Sequence, residues 1–108
     1  MTNHPRSRAA LLAILRAHEA EFRAQGFETI TLFGSLARGD ATDASDVDLA
    51  IRPGADFSSG GRFDHFGRLE DLRGRLAALL GCEVDLVEEP AVRPRLRAVI
   101  AEEGVRAF

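Results

Sequence analysis

The segments that decide the fold are Leu32-Phe-Gly-Ser-Leu-Ala-Arg-Gly-Asp-Ala41 and Ser45-Asp-Val-Asp-Leu-Ala-Ile51. The first segment completes a run of β-branched and aromatic residues, which predicts a strand over residues 28–33 that stops at a sharp turn at Gly34. The second segment alternates acidic and apolar residues, which predicts another strand over residues 46–52. Two short strands with a small polar connection therefore form the centre of the predicted sheet.

The second strand carries paired carboxylates. Asp46 and Asp48 lie two residues apart, so both side chains point to the same face of a strand. Asp85 has the same apolar flanks in Glu83-Val-Asp-Leu-Val87, so three carboxylates could converge, although the register is not readable from the sequence. Oxygen ligands without a histidine or cysteine cluster favour Mg²⁺, and two such ions form a clamp for phosphoryl or nucleotidyl transfer. The alternative is an acidic strand face that only meets water.

Helical periodicity accounts for most of the remaining chain. A helix predicted over Asp64 to Leu80 joins the second strand to a third strand, predicted over Cys82 to Val87. This connection is a βαβ crossover, which makes the two strands parallel. Asp64 is the predicted N-cap of this helix, and Gly81 follows its end. The fold class is therefore α/β. The other predicted elements are helices over Pro5 to Gln25 and Pro94 to Glu103.

Composition limits the function further. The 108 residues predict one domain, 1–108, and the net charge of -3 disfavours binding of nucleic acid through bulk charge. A single cysteine excludes an internal disulfide, and the amino-terminal region has neither a secretory signal pattern nor a membrane span. We therefore expect a cytoplasmic protein with no membrane association. All 14 basic residues are arginine, so any basic side chain that binds phosphate is an arginine.

The Gly34-Ser35 turn offers backbone N–H groups and a hydroxyl directly after a strand, as phosphate-binding turns do. A Walker A loop is excluded, because Asp40 and Ala41 stand where lysine and serine or threonine are required. A separate basic group, Arg93, Arg95 and Arg97, is interpreted as a solvated helix face, with docking to an acidic partner surface as the alternative.

Gly34-Ser35, a spacer of ten residues and then Asp46-Val47-Asp48 resemble the signature of the DNA polymerase β-like nucleotidyltransferase superfamily, and in particular its minimal members. The resemblance implies a small mixed sheet flanked by helices. It also implies that Asp46, Asp48 and Asp85 are catalytic, with Mg²⁺ held against the triphosphate of ATP and Asp85 deprotonating or orienting the attacking hydroxyl. The nucleotide-binding residues would be Gly34, Ser35 and Arg38, the last with a surface ion pair to Asp40 or Asp43 as its alternative role.

The resemblance also implies a partner. Minimal nucleotidyltransferases are the antitoxins of HEPN-domain ribonuclease toxins in toxin–antitoxin pairs, and members of the family transfer AMP from ATP to a tyrosine of the toxin. We therefore expect a protein adenylyltransferase that forms a hetero-oligomer with a HEPN-domain toxin. The alternatives are an antitoxin that neutralises its partner by binding alone and a nucleotidyltransferase that modifies a small molecule.

Overall fold

Helices and strands alternate along most of the chain, which confirms the predicted α/β class. The computed structural model describes residues 7–38, 46–55 and 62–108, and only the backbone of residues 35, 36, 62 and 63. The elements are α1 (Arg8–Ala17), α2 (Glu19–Ala24), β1 (Phe27–Phe33), α3 (Ser35–Arg38), β2 (Val47–Pro53), α4 (Arg62–Leu80), β3 (Val84–Glu88), α5 (Pro94–Glu103) and β4 (Val105–Arg106).

The four strands form one mixed sheet in the order β3-β2-β1-β4. β2 and β3, which α4 connects, run parallel, as the crossover predicts. β1 is antiparallel to β2 and to β4. β4 is absent from the sequence prediction, because two residues are too short for an alternating pattern; Val105 and Arg106 pair with Leu32 and Thr31.

Each face of the sheet packs against different helices. Side chains alternate along β2, so Val47, Leu49 and Ile51 are fully buried in the larger core, together with leucines of α1 and α4. Ala50 lies on the opposite face, in a smaller core that includes Ile100 of α5. Asp48 lies between Val47 and Leu49 in this alternation and therefore points to the second face of the sheet. Its carboxylate is thus on the side of the sheet that packs against α5.

The first helix is shorter than predicted. Residues 1–6 lie outside the described part of the chain, and the Ser7 side chain accepts a hydrogen bond from the Ala10 N–H at the start of α1. The helix then breaks at His18, where the prediction of one helix to Gln25 is wrong. The His18 N–H bonds to the carbonyl of Leu15 at 3.2 Å, a tightened last turn, while its ring Nδ1 lies 2.9 Å from the Ile14 carbonyl oxygen.

Several other details differ from the prediction. Asp64 is not an N-cap, because α4 already begins at Arg62. Asp46 lies just before β2 rather than in it. Phe66 was predicted on the apolar side of its helix but is 62% exposed, because the buried side of α4 is carried by Leu72, Leu76 and Leu80.

Among the described residues, no helix has the length and apolar character needed to cross a bilayer.

Candidate active site

Two of the predicted catalytic carboxylates lie side by side. Asp48 on β2 and Asp85 on β3 are register partners in the parallel pair. Neighbouring strands lie about 4.8 Å apart, so the two side chains leave the same face of the sheet as direct neighbours. Asp46 is exposed at the entrance to β2, two residues before Asp48. The structure therefore supplies the register that the sequence could not give.

The electrostatics of Asp48 show that the carboxylates repel one another. Burial raises the pKa of the Asp48 carboxyl group above its ordinary value, and the charges of Asp85 and Asp46 raise it further. The Arg38 guanidinium acts in the opposite direction and lowers this pKa. The ionised form of Asp48 is therefore disfavoured in the folded chain, and a cation beside these groups would relieve the repulsion.

The chemistry of the donors fits a hard divalent cation. Three carboxylates provide only oxygen ligands, which Mg²⁺ prefers to nitrogen or sulfur. Within residues 7–38, 46–55 and 62–108, no three acidic, histidine or cysteine side chains are already arranged around one point as a metal site. Burial of the Asp48 carboxyl group and its repulsion by Asp85 and Asp46, which together raise its pKa, are the features of this structure that favour a cation there.

Gly34 shapes the site through its contact with Asp48. It ends β1 in a left-handed conformation, with φ of +79°, which glycine adopts readily and other residues do not. A Cβ atom at this position would overlap Asp48 Oδ2 and lie 3.1 Å from Asp48 Cγ. The Asp48 carboxylate therefore lies directly against the backbone of Gly34. The sequence indicated the turn, but not this contact with a residue on the next strand.

Arg38 has a partner that the sequence did not indicate. Its Nη1 donates a hydrogen bond of 3.0 Å to Glu103 Oε2 at the end of α5. The predicted alternatives, Asp40 and Asp43, lie outside the described residues. α3 begins at Ser35, but of this residue only the backbone is described. The turn after β1 and the end of α5 thus meet beside the carboxylates.

Comparison with a family model gives one match over most of the chain. The model is described as a nucleotidyltransferase domain and matches residues 15–107. This range contains Gly34, Asp46, Asp48 and Asp85, and it includes every strand of the sheet.

Individual relatives agree with this match. The protein adenylyltransferase MntA of Thermococcus cleftensis is 36% identical over 94 residues, which cover 86% of this chain and 88% of the relative. A solved structure provisionally described as a minimal nucleotidyltransferase is 32% identical, with a TM-score of 0.65 and coverage of 91% of this chain and 89% of that one. A mutant of the toxin–antitoxin pair MntA–HpeT gives 27% identity and a TM-score of 0.60, covering 94% and 72%.

Proposed function

Since the chain belongs to the nucleotidyltransferase domain family and has its polymerase β-like fold, we propose that it transfers AMP from ATP to a hydroxyl group of a partner protein. The observation that carries this proposal is the register of Asp48 with Asp85 on adjacent strands. A relative named as a protein adenylyltransferase supports the same reaction. The acceptor we propose is a tyrosine of a HEPN-domain toxin, and the chain would then be the antitoxin of that pair.

Each site residue has a role in this reaction. Asp46, Asp48 and Asp85 would hold Mg²⁺, which when bound neutralises charge on the triphosphate. Gly34 and Ser35 would bind the triphosphate tail, and Arg38 would contact a phosphate or the acceptor. The acceptor hydroxyl oxygen forms a bond to the α-phosphorus, the bond from this phosphorus to the bridging oxygen breaks, and pyrophosphate leaves. The hydroxyl proton passes to a carboxylate, for which Asp85 is suited because it is exposed.

The accessibility of the site supports an acceptor from outside the chain. Asp46 and Asp85 are exposed and Asp48 is half-buried, so a side chain of another protein can approach the carboxylates. The MntA–HpeT structure is described as a toxin–antitoxin pair, which supports a hetero-oligomer here. We expect the reaction in the cytoplasm, where ATP and Mg²⁺ are available.

The proposed reaction is tested by following two labels. The protein is incubated with Mg²⁺, the product of the adjacent gene and ATP labelled on either the α- or the γ-phosphate. We expect label from α-labelled ATP on a tyrosine of the partner, no label from γ-labelled ATP, and no transfer when EDTA removes the metal. Transfer of the γ-label would contradict AMP transfer. Complex formation without any label would favour the antitoxin that acts by binding alone.

Glu103 is expected to limit the affinity for ATP through Arg38. Glu103→Gln keeps the shape and an acceptor for Arg38 but removes one negative charge near a site that already holds three carboxylates. We expect the KM for ATP to fall about threefold with kcat unchanged, since a partly exposed charge contributes under about 1 kcal/mol. The stability should change little, because the Arg38 and Glu103 side chains are 45% and 33% exposed.

Glu102→Gln is the matched control, since it makes the same charge change at the adjacent exposed position of α5. Its KM for ATP should stay near that of the unmodified protein. An equal decrease of the KM for ATP in both variants would mean that net charge, and not the pairing of Glu103 with Arg38, affects ATP binding.

A further inference from the structure

A cavity on the α5 side of the sheet is lined by residues other than the three carboxylates. Its volume is about 510 Å³, which is within the range of sites that bind one small molecule. The residues that line it come from β1, β2, β4, α5 and the segments on either side of α5.

The lining of this cavity is positive although the chain is acidic. Arg52, Arg97 and Arg106 face one carboxylate, Glu89, whereas the whole chain has a net charge of -3. Three arginines from three different elements are thus brought to one cavity. An arginine fork can bind two oxygens of a phosphate or carboxylate group at once, so this lining is suited to an anion.

The three guanidinium groups are weakly engaged within the chain. Arg52 Nη2 lies 3.7 Å from Glu89 Oε2, a long ion pair. Arg106 Nε donates a hydrogen bond of 3.3 Å to the Phe108 carbonyl oxygen. The Arg97 side chain has no hydrogen bond or ion pair with any residue in the described part of the chain. Donors therefore remain for a ligand.

The rest of the cavity wall is largely apolar. Ala91 and Ile100 belong to the smaller core and are 3% and 7% exposed, and Pro90 and Ala101 extend this surface. A ligand that fills the cavity would thus place an apolar or planar body on this wall and its anionic group on the arginines. A simple inorganic ion would leave the apolar wall uncovered.

The cavity is separate from the carboxylate site. Asp46, Asp48 and Asp85 do not line it. Arg52 follows Asp48 by four residues on β2, about 13 Å along a strand, whereas Thr31 pairs with Ala50, two residues from Asp48, so the cavity lies on the same sheet face as the carboxylates without including them. Arg93 and Arg95, grouped with Arg97 in the sequence, do not line the cavity either, so the basic cluster divides into solvated residues and one lining residue.

We propose that this cavity binds a small organic anion, one that carries a phosphate or carboxylate group on an apolar or planar body, independently of the ATP site. AMP and glutarate are the two probes, titrated calorimetrically into the full chain in EDTA. We expect at least one of them to bind, and Arg97→Gln to weaken its binding at least about tenfold, the loss of one charge-assisted contact. Arg95→Gln, on the same helix, should leave the affinity unchanged.

The remaining outcomes separate the two sources of the anion. Arg97-dependent binding of AMP alone identifies a phosphate ligand, and Arg97-dependent binding of glutarate alone identifies a carboxylate ligand. The proposal is overturned when neither probe binds at millimolar concentration. It is also overturned when Asp48→Asn, rather than Arg97→Gln, alters binding of AMP, because the nucleotide then occupies the carboxylate site. Because the Arg97 side chain is exposed, thermal unfolding should be the same for Arg97→Gln and the unmodified chain.

Discussion

Asp48→Asn is expected to abolish AMP transfer, with a decrease in rate of at least about 10³-fold. Asp48 is the central one of the three carboxylates, since it is the register partner of Asp85 and follows Asp46 by two residues. An amide in its place removes one charged ligand from the proposed Mg²⁺ site. Loss of several kcal/mol of charge stabilisation in the transition state corresponds to this decrease, because each 1.36 kcal/mol is about tenfold in rate.

The same substitution is expected to stabilise the metal-free protein at neutral pH. The folded chain raises the pKa of Asp48 through burial and through Asp85 and Asp46, so the folded state holds this proton more tightly than the unfolded state. Stability from this group is therefore present at pH values below its unfolded pKa and is lost as pH rises through the folded pKa. The amide of the Asp48→Asn variant does not ionise and avoids this loss, a case of a functional group that lowers stability.

Both effects are measurable on one pair of proteins. Transfer of α-label to the partner reports activity, and thermal unfolding in EDTA across a pH series reports stability. Added Mg²⁺ should raise the unfolding temperature of the unmodified chain more than that of Asp48→Asn. Asp71→Asn, at an exposed position of α4, is the control and should change neither property. Full activity of Asp48→Asn would exclude these carboxylates from the reaction.

Local patterns indicated the elements of this site but not its contacts. The strand before Gly34, the turn, and the spacing to Asp46 and Asp48 are encoded within one short continuous segment, so the sequence predicted the family from them. Strand β2 begins one residue later than predicted, which leaves Asp46 at its entrance. The parallel direction of β2 and β3 also followed from the sequence, because a helix that connects two neighbouring strands of one sheet leaves them parallel.

Contacts between distant residues were not predictable. The register of Asp48 with Asp85 depends on how α4 packs against the sheet, and no local sequence pattern specifies that register. The Arg38–Glu103 pair joins residues 65 positions apart. At the break at His18 the ring bonds to the backbone carbonyl of Ile14, one turn earlier, within a sequence whose apolar spacing continues unbroken. These features are set by packing, and only the structure contains that information.

Gly34→Ala is expected to reduce both stability and activity. An alanine at φ of +79° is strained by about 1–2 kcal/mol, and its Cβ would also overlap the Asp48 carboxylate. Moving that carboxylate adds about 1–2 kcal/mol, so we expect a total loss of about 2–4 kcal/mol in the free energy of unfolding. AMP transfer should fall about 10²-fold, since a displacement of about 1 Å in a reacting site has this effect.

A double-mutant cycle separates the two causes. With Asp48→Ala as the background, the overlap with the carboxylate disappears, and the backbone strain and the 3.3 Å contact with Cβ of residue 48 remain, so Gly34→Ala should then destabilise by about 1–2 kcal/mol less than it does alone. Gly74→Ala is the matched control: a Cβ there meets nothing within 4 Å, and stability should rise by about 0.5–1 kcal/mol with transfer unchanged. Equal costs of Gly34→Ala in both backgrounds would mean that Asp48 does not lie against Gly34 in solution. The contact would then not be what positions the carboxylate for catalysis.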